Sequence, residues 1–300
     1  MTRDSFVAKE IPTMKAMNRL VLHSMMLGML GMVLLGSTSR AAHADWDFLP
    51  ESRHHLYQSY SFFVEQHNIV AWRGASQFWA AVAATIPIVG NNDSPLHPQF
   101  VFHFSGNDAM HVNDGGGVFT ETLDTRIGFA FELQTPFWGI RTSLGYFHES
   151  GHIADGALDP SLGPLNLGDN VFRWRIMRDF DRYVRVGFTL VPISHAIPDN
   201  LVSGMDEFIE YFPLGAKEDP HSFSPFIAAG LGNQLNIFGG GGYIYNAQAG
   251  ITAGSHFDEK HTHDMRFVIG YYNGPDPRSK YAQFLNEQAQ FGYIATMFNL

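Results

Sequence analysis

The amino-acid sequence predicts an all-β chain, an antiparallel transmembrane β-barrel of about twelve strands, and three observations carry that prediction. Charged residues make up only 16% of the 300, while aromatics reach 14% and glycine numbers 30. A soluble domain usually carries about 25% charged residues. Between Leu123 and Gln134 the side chains alternate: Leu123, Thr125, Ile127, Phe129, Phe131 and Leu133 share one face. Asp124, Arg126, Gly128, Ala130, Glu132 and Gln134 share the other. Beyond residue 44 no apolar run is long enough for a transmembrane helix. A membrane-embedded chain of this kind must therefore close into a barrel, because lipid offers no partner to unpaired backbone groups.

The first forty-four residues read as a leader. Arg3, Lys9, Lys15 and Arg19 precede the apolar run from Leu20 to Gly36, and Ala42-His43-Ala44 supplies a small-x-small cleavage pattern. Cleavage is expected after Ala44, which makes 45–300 the barrel; Met14 or Met17 is an alternative start. An uncleaved anchor is the rival, but the run is short for a span and contains His23 and Ser24.

Further strands follow the same two-residue period. They are expected at 75–88, 97–106, 123–134, 139–150, 170–179, 182–193, 204–214, 223–235, 241–254, 263–273 and 287–300, with a weaker candidate at 58–70. Thr135-Pro136-Phe137-Trp138 and Asp179–Arg182 read as short turns, and 151–169 as a long polar loop. Alternating short and long connections suit an outer-membrane barrel, with the short ends in the periplasm. An even strand number puts both termini there.

Composition also excludes. A net charge of -10 offers no concentrated basic face for nucleic acid. Cysteine is absent, so no disulfide, thiol nucleophile or cysteine-ligated metal is available.

One stretch carries chemistry: Tyr146-Phe147-His148-Glu149-Ser150-Gly151-His152. As H-E-x-x-H, His148, Glu149 and His152 would bind zinc and form a protease site, but only on a helix, which brings positions four apart onto one face. On a strand the two histidines stand about 13 Å apart; Gly145, Gly151 and Gly156 interrupt a helix, and Thr142, Tyr146 and Phe147 favour a strand. The second reading makes His148 the base of Ser150, since i and i+2 share a strand face at about 6.6 Å. Parity continues Ile140, Thr142, Leu144 and Tyr146 into His148, Ser150 and His152, so all three histidine and serine side chains point to lipid at the strand's outer end. Asn170, with the outward parity of Phe172 and Trp174, is the candidate to orient His148; Asp169 is its rival. The plain alternative is a set of polar residues that marks the membrane boundary.

The segment Tyr146 to Asp155 resembles the Y-x-H-x-S-S-H-x-x-D stretch of the DUF1207 family of bacterial outer-membrane proteins. The similarity continues at Ser224-Pro225-Phe226-Ile227-Ala228-Ala229-Gly230 and at Arg266 to Gly274, then at Tyr281 and Phe284 and a final strand. It covers roughly 120–300 and departs at Gly151 and at the terminal Leu300. The resemblance implies a barrel fold and an outer-membrane location in a Gram-negative bacterium; the family has no established function. More loosely, the His-x-Ser pair is similar to that of outer-membrane phospholipase A and the lipid A deacylases. That likeness implies acyl-ester hydrolysis, with Asn170 completing a triad. The phospholipase's Asn-Gly after the serine is replaced here by Gly151-His152.

No cofactor is called for, and calcium and zinc stay open. The implied partners are outer-membrane lipids and the barrel-assembly machinery; oligomeric state is not readable. Arg126, Arg141, Arg173, Arg175, Glu132 and Glu149 fall on the inner face, where opposite charges pair and plug a small barrel; an arginine-lined pore is the rival. His256, His261 and His263 with Asp258 and Glu259 read as a solvated turn, with metal binding as the rival. The Gly239–Gly242 run reads as a loop. The alternatives to a lipid hydrolase are a narrow porin and a non-catalytic structural barrel.

Overall fold

The computed structural model of the chain describes residues 46–49, 68–73, 77–91, 93–112, 114–135, 138–153, 167–197, 200–215, 222–236, 241–254, 264–275 and 288–299. The leader expected at 1–44, the first part of the 58–70 candidate and the His256–His263 cluster lie outside these residues. Among the described residues the regular structure is β-strand throughout, and no helix is long and apolar enough to cross a membrane.

The strands are β1 (Asp47–Phe48), β2 (Asn68–Arg73), β3 (Gln77–Gly90), β4 (Gln99–Val112), β5 (Val118–Gln134), β6 (Ile140–Ile153) and β7 (Leu167–Phe180). They continue as β8 (Val184–Ile197), β9 (Asn200–Tyr211), β10 (Phe223–Asn236), β11 (Gly241–Gly254), β12 (Asp264–Pro275) and β13 (Gln288–Asn299). Sequential neighbours from β2 to β13 pair antiparallel, and β13 pairs back onto β2. This closes a barrel of twelve strands, β2 to β13, to which the two-residue β1 adds at Val89 and Gly90. A 14-residue strand such as β6, tilted by roughly 40°, rises about 35 Å.

The two-residue period decides which side faces out. Leu123, Ile127 and Phe129 of β5 are exposed, whereas Gly128, Ala130 and Glu132 are buried inside. The same holds on β12, where Phe267 and Ile269 point out and Arg266 and Val268 point in. Rings pack along the outer wall: Phe100 stacks on Phe129 at 5.6 Å between centroids, and Tyr146 meets Phe172 tilted, at 4.9 Å. An apolar exterior over a charged interior inverts the order of a water-soluble protein.

The lumen has two unlike halves. Arginines and carboxylates line β5 to β9. The wall from β10 to β13 and β2 carries an apolar cluster of Phe226, Tyr272, Phe291, Tyr293, Met297 and Ala71, with Asn246, Gln248, Thr252 and Arg266 buried among its strands. Near the rim where β13 finishes, every strand contributes a buried inward residue, from Gln99 and Glu132 through Arg185 and Glu210 to Arg266 and Met297. Arg266 of β12 faces Glu210 of β9 at 3.7 Å, and both side chains are fully buried. Arg185 joins Glu210 at 3.9 Å and Asp179 at 2.6 Å, and Arg141 also pairs with Asp179. Arg266 lies 4.7 Å over the Phe226 ring. Paired charges and aromatic rings thus pack against one another inside the barrel near this rim.

Three expectations need correction. β4 runs on to Val112 rather than stopping at 106. Gly106-Asn107-Asp108 has turn chemistry, but pairing with β3 on one side and β5 on the other holds it extended. The short-turn rim is not found: the rim where β13 finishes carries the short connections 135–139 and 181–183, but also 212–222 and 255–263. The opposite rim carries 74–76 and 198–199 beside 154–166 and 276–287. Barrel closure fixes the strands and leaves connection length free. Finally, Gly241 and Gly242 open β11, as the strand expected at 241–254 has it, and this corrects the loop reading of the last two residues of the glycine run.

Candidate active site

The site lies on the outer wall where β5, β6 and β7 approach the rim opposite the end of β13. Antiparallel pairing sets two rows of outward residues. In one, Ile127, His148 and Asn170 stand side by side, and β8 brings the backbone of His195 next to Asn170. In the row nearer the rim, Gly106, Thr125, Ser150 and Gly168 stand side by side. Below them the Tyr146 and Phe172 rings meet at a tilt on the apolar wall.

His148 is exposed, and its Nδ1 lies 3.1 Å from Oδ1 of Asn170. With the amide oxygen as acceptor, Nδ1 carries the proton and Nε2 keeps its lone pair, the tautomer a general base needs. The ring leans toward the Ser150 row: its Cε1 lies 3.7 Å from the place a side chain would occupy at Gly168, the register partner of Ser150. The Ser150 hydroxyl itself bonds Thr125 Oγ1 at 2.7 Å, not His148. The structure therefore brings together His148 with Asn170, and Ser150 with Thr125, on one outward surface.

Two candidate residues fall elsewhere. Asp169 pairs in register with Glu149 and has inward parity, so it cannot orient the outward imidazole. His152 is exposed one position beyond the serine row, opposite Leu123, about 13 Å along the strand from His148. The zinc-protease geometry is absent because 140–153 is a strand. Glu149 points into the lumen, where its Oε1 holds Arg126 Nε at 2.7 Å and Arg173 at 2.8 Å. Among the described residues no group of three or more His, Asp or Glu side chains is placed to hold a metal.

Sequence reasoning missed Thr125 and Gly168. Thr125 carried a weak signal, the one hydroxyl on an outward face of Leu, Ile and Phe. Gly168 carried none, because only the β6–β7 register puts it beside Ser150.

No family model matches the chain. No curated protein matches it either. Among solved structures, the chain is similar to the β domain of the Bordetella autotransporter BrkA, at 10% identity and a TM-score of 0.46, over 78% of this chain and 98% of that one.

Proposed function

We propose that this chain is an outer-membrane β-barrel protein of a Gram-negative bacterium that hydrolyses acyl esters of membrane lipid at its outer wall. Membership of the DUF1207 family is part of the same proposal, as are outer-membrane lipids and the barrel-assembly machinery as partners. The location is supported by a closed wall that turns Phe129, Ile227, Phe267 and Ile269 outward. It is supported also by exposed Trp138, Tyr183 and Tyr211 toward one rim and Trp72 and Tyr243 toward the other, the levels at which aromatic girdles sit.

The observation that carries the hydrolytic reading is the His148–Asn170 hydrogen bond beside Ser150 on the lipid-facing side. In that reading Ser150 turns about its Cα–Cβ bond and gives its proton to His148 Nε2 as Oγ attacks the ester carbonyl carbon. The carbonyl π pair moves to oxygen. Its return expels the lipid's alkoxide, which takes the proton from His148. Water then repeats the sequence and frees the fatty acid. The rival, a narrow porin, is disfavoured by the burial of the inward charged side chains Glu132, Arg185, Glu210 and Arg266.

Purified barrel incubated with phospholipid and with lipid A tests the proposal. Acyl release should occur with one of them and be abolished by Ser150→Ala and by His148→Ala. Absence of release from both, together with steady ion conductance in planar bilayers, would overturn it.

A further inference from the structure

We propose that the Thr125 hydroxyl is a further catalytic group of this site, the donor that meets the negative charge of the tetrahedral intermediate. The inference rests on the hydrolase function proposed above. Thr125 Oγ1 lies 2.7 Å from Ser150 Oγ. Of the two directions for that bond, donation by Thr125 is the one that frees the Ser150 proton for His148, whose Nδ1 is turned to Asn170. Serine hydrolases commonly stabilise the oxyanion with backbone N–H groups beside the nucleophile. Ser150 sits in the middle of a ladder, with Thr125 on one side and Gly168 on the other. Its amide lies in the plane of the sheet and is committed to strand pairing. A side-chain hydroxyl that stands out of the sheet is the donor an ester arriving from lipid can meet.

Space for that ester is present. Thr125 and Ser150 are flanked in register by Gly106 and Gly168. A side chain at Gly106 would touch only the edge of Phe104, at 4.0 Å. The four residues form a shallow trough across β4 to β7, with the two hydroxyls at its centre. As Oγ bonds to the carbonyl carbon it gives up the lone pair that received the Thr125 hydrogen bond. The former carbonyl oxygen, now carrying the electron pair of the broken π bond, is held on the same carbon. The Thr125 hydroxyl passes from one oxygen to the other, and no proton is transferred from it.

The test uses the full barrel in mixed micelles with an ester-linked phosphatidylcholine or lipid A as substrate, and a fluorophosphonate as a label for Ser150. Thr125→Val keeps the branched shape and removes the donor; Thr125→Ser keeps the donor. Thr125→Val should lower kcat about 10²- to 10³-fold with KM little changed, and Thr125→Ser should restore most of the rate. Full kcat in Thr125→Val overturns the assignment, as does an equal loss in both variants, which would mark a packing role. If the unsubstituted barrel releases no acyl chain and Ser150 takes no label, the hydrolase reading falls and this one with it. Labelled Ser150 with Thr125→Val at full rate removes the Thr125 role alone.

Discussion

Behind the candidate site one carboxylate holds two arginines, and its removal gives a measurable loss. Glu149 Oε1 accepts a hydrogen bond from Arg173 at 2.8 Å and forms an ion pair with Arg126 Nε at 2.7 Å, with the side chains of Glu149, Arg126 and Arg173 7%, 15% and 11% exposed. Glu149→Gln would leave two guanidinium groups on one neutral amide. Removing one partner of a buried pair costs about 3–5 kcal/mol. The amide oxygen still accepts one hydrogen bond, and the arginines are not fully enclosed, so the loss expected is about 2–3 kcal/mol. At an m-value of about 2–3 kcal/mol per molar urea, the unfolding midpoint falls by about 1 M. The assay is reversible unfolding of the barrel in thin bilayers, followed by tryptophan fluorescence and by gel mobility with and without heating. A second variant isolates the mechanism. In Arg126→Met/Glu149→Leu/Arg173→Met all three charges are gone, no ion is stranded, and stability should return to the wild-type value or above it. A Glu149→Gln midpoint unchanged from wild type, or a triple variant as unstable as the single one, would refute the reasoning.

Two further outcomes follow from the walls of the barrel. A methyl group at Gly128 would collide with the Tyr146 carbonyl oxygen and the Phe147 ring, so Gly128→Ala should cost about 1–3 kcal/mol by overpacking; an unshifted midpoint in the same unfolding assay counts against the packing described. Glu207 is exposed on the outer face of β9 between Met205 and Ile209, opposite Phe188 and Leu231 in register, and Glu207→Leu should stabilise the bilayer-embedded barrel by about 1–2 kcal/mol. A loss of stability in that variant would mean that the carboxylate has a partner in the membrane.

Much of the strand layout was legible because it depends on neighbours two residues away. The alternation of β5 announced which side of Phe129 and Glu132 faces out. The chain Tyr146, His148, Ser150, His152 inherited its outward direction from Leu144 and Ile140. Asn170 had the outward parity of Phe172 and Trp174, but only the β6–β7 register set it directly beside His148 and put Asp169 opposite Glu149. The same distance limit explains the misplaced end of β4. Residues 106–108 look like a turn when read alone, and they are extended only because β3 and β5 grip them from both sides.

By itself, then, the sequence determined the class of fold, the inside and outside of β5, β6 and β7, and the outward placing of His148, Ser150 and Asn170, because a period of two is a local property of extended backbone. Which residues meet across strands was decided only by the tertiary structure. Ser150 faces Thr125 rather than His148, Gly168 opens beside it, and Arg266 reaches Glu210 through the lumen. Those contacts depend on the pairing register and on how the sheet closes, and these arise from the packing of all twelve strands together rather than from any one of them.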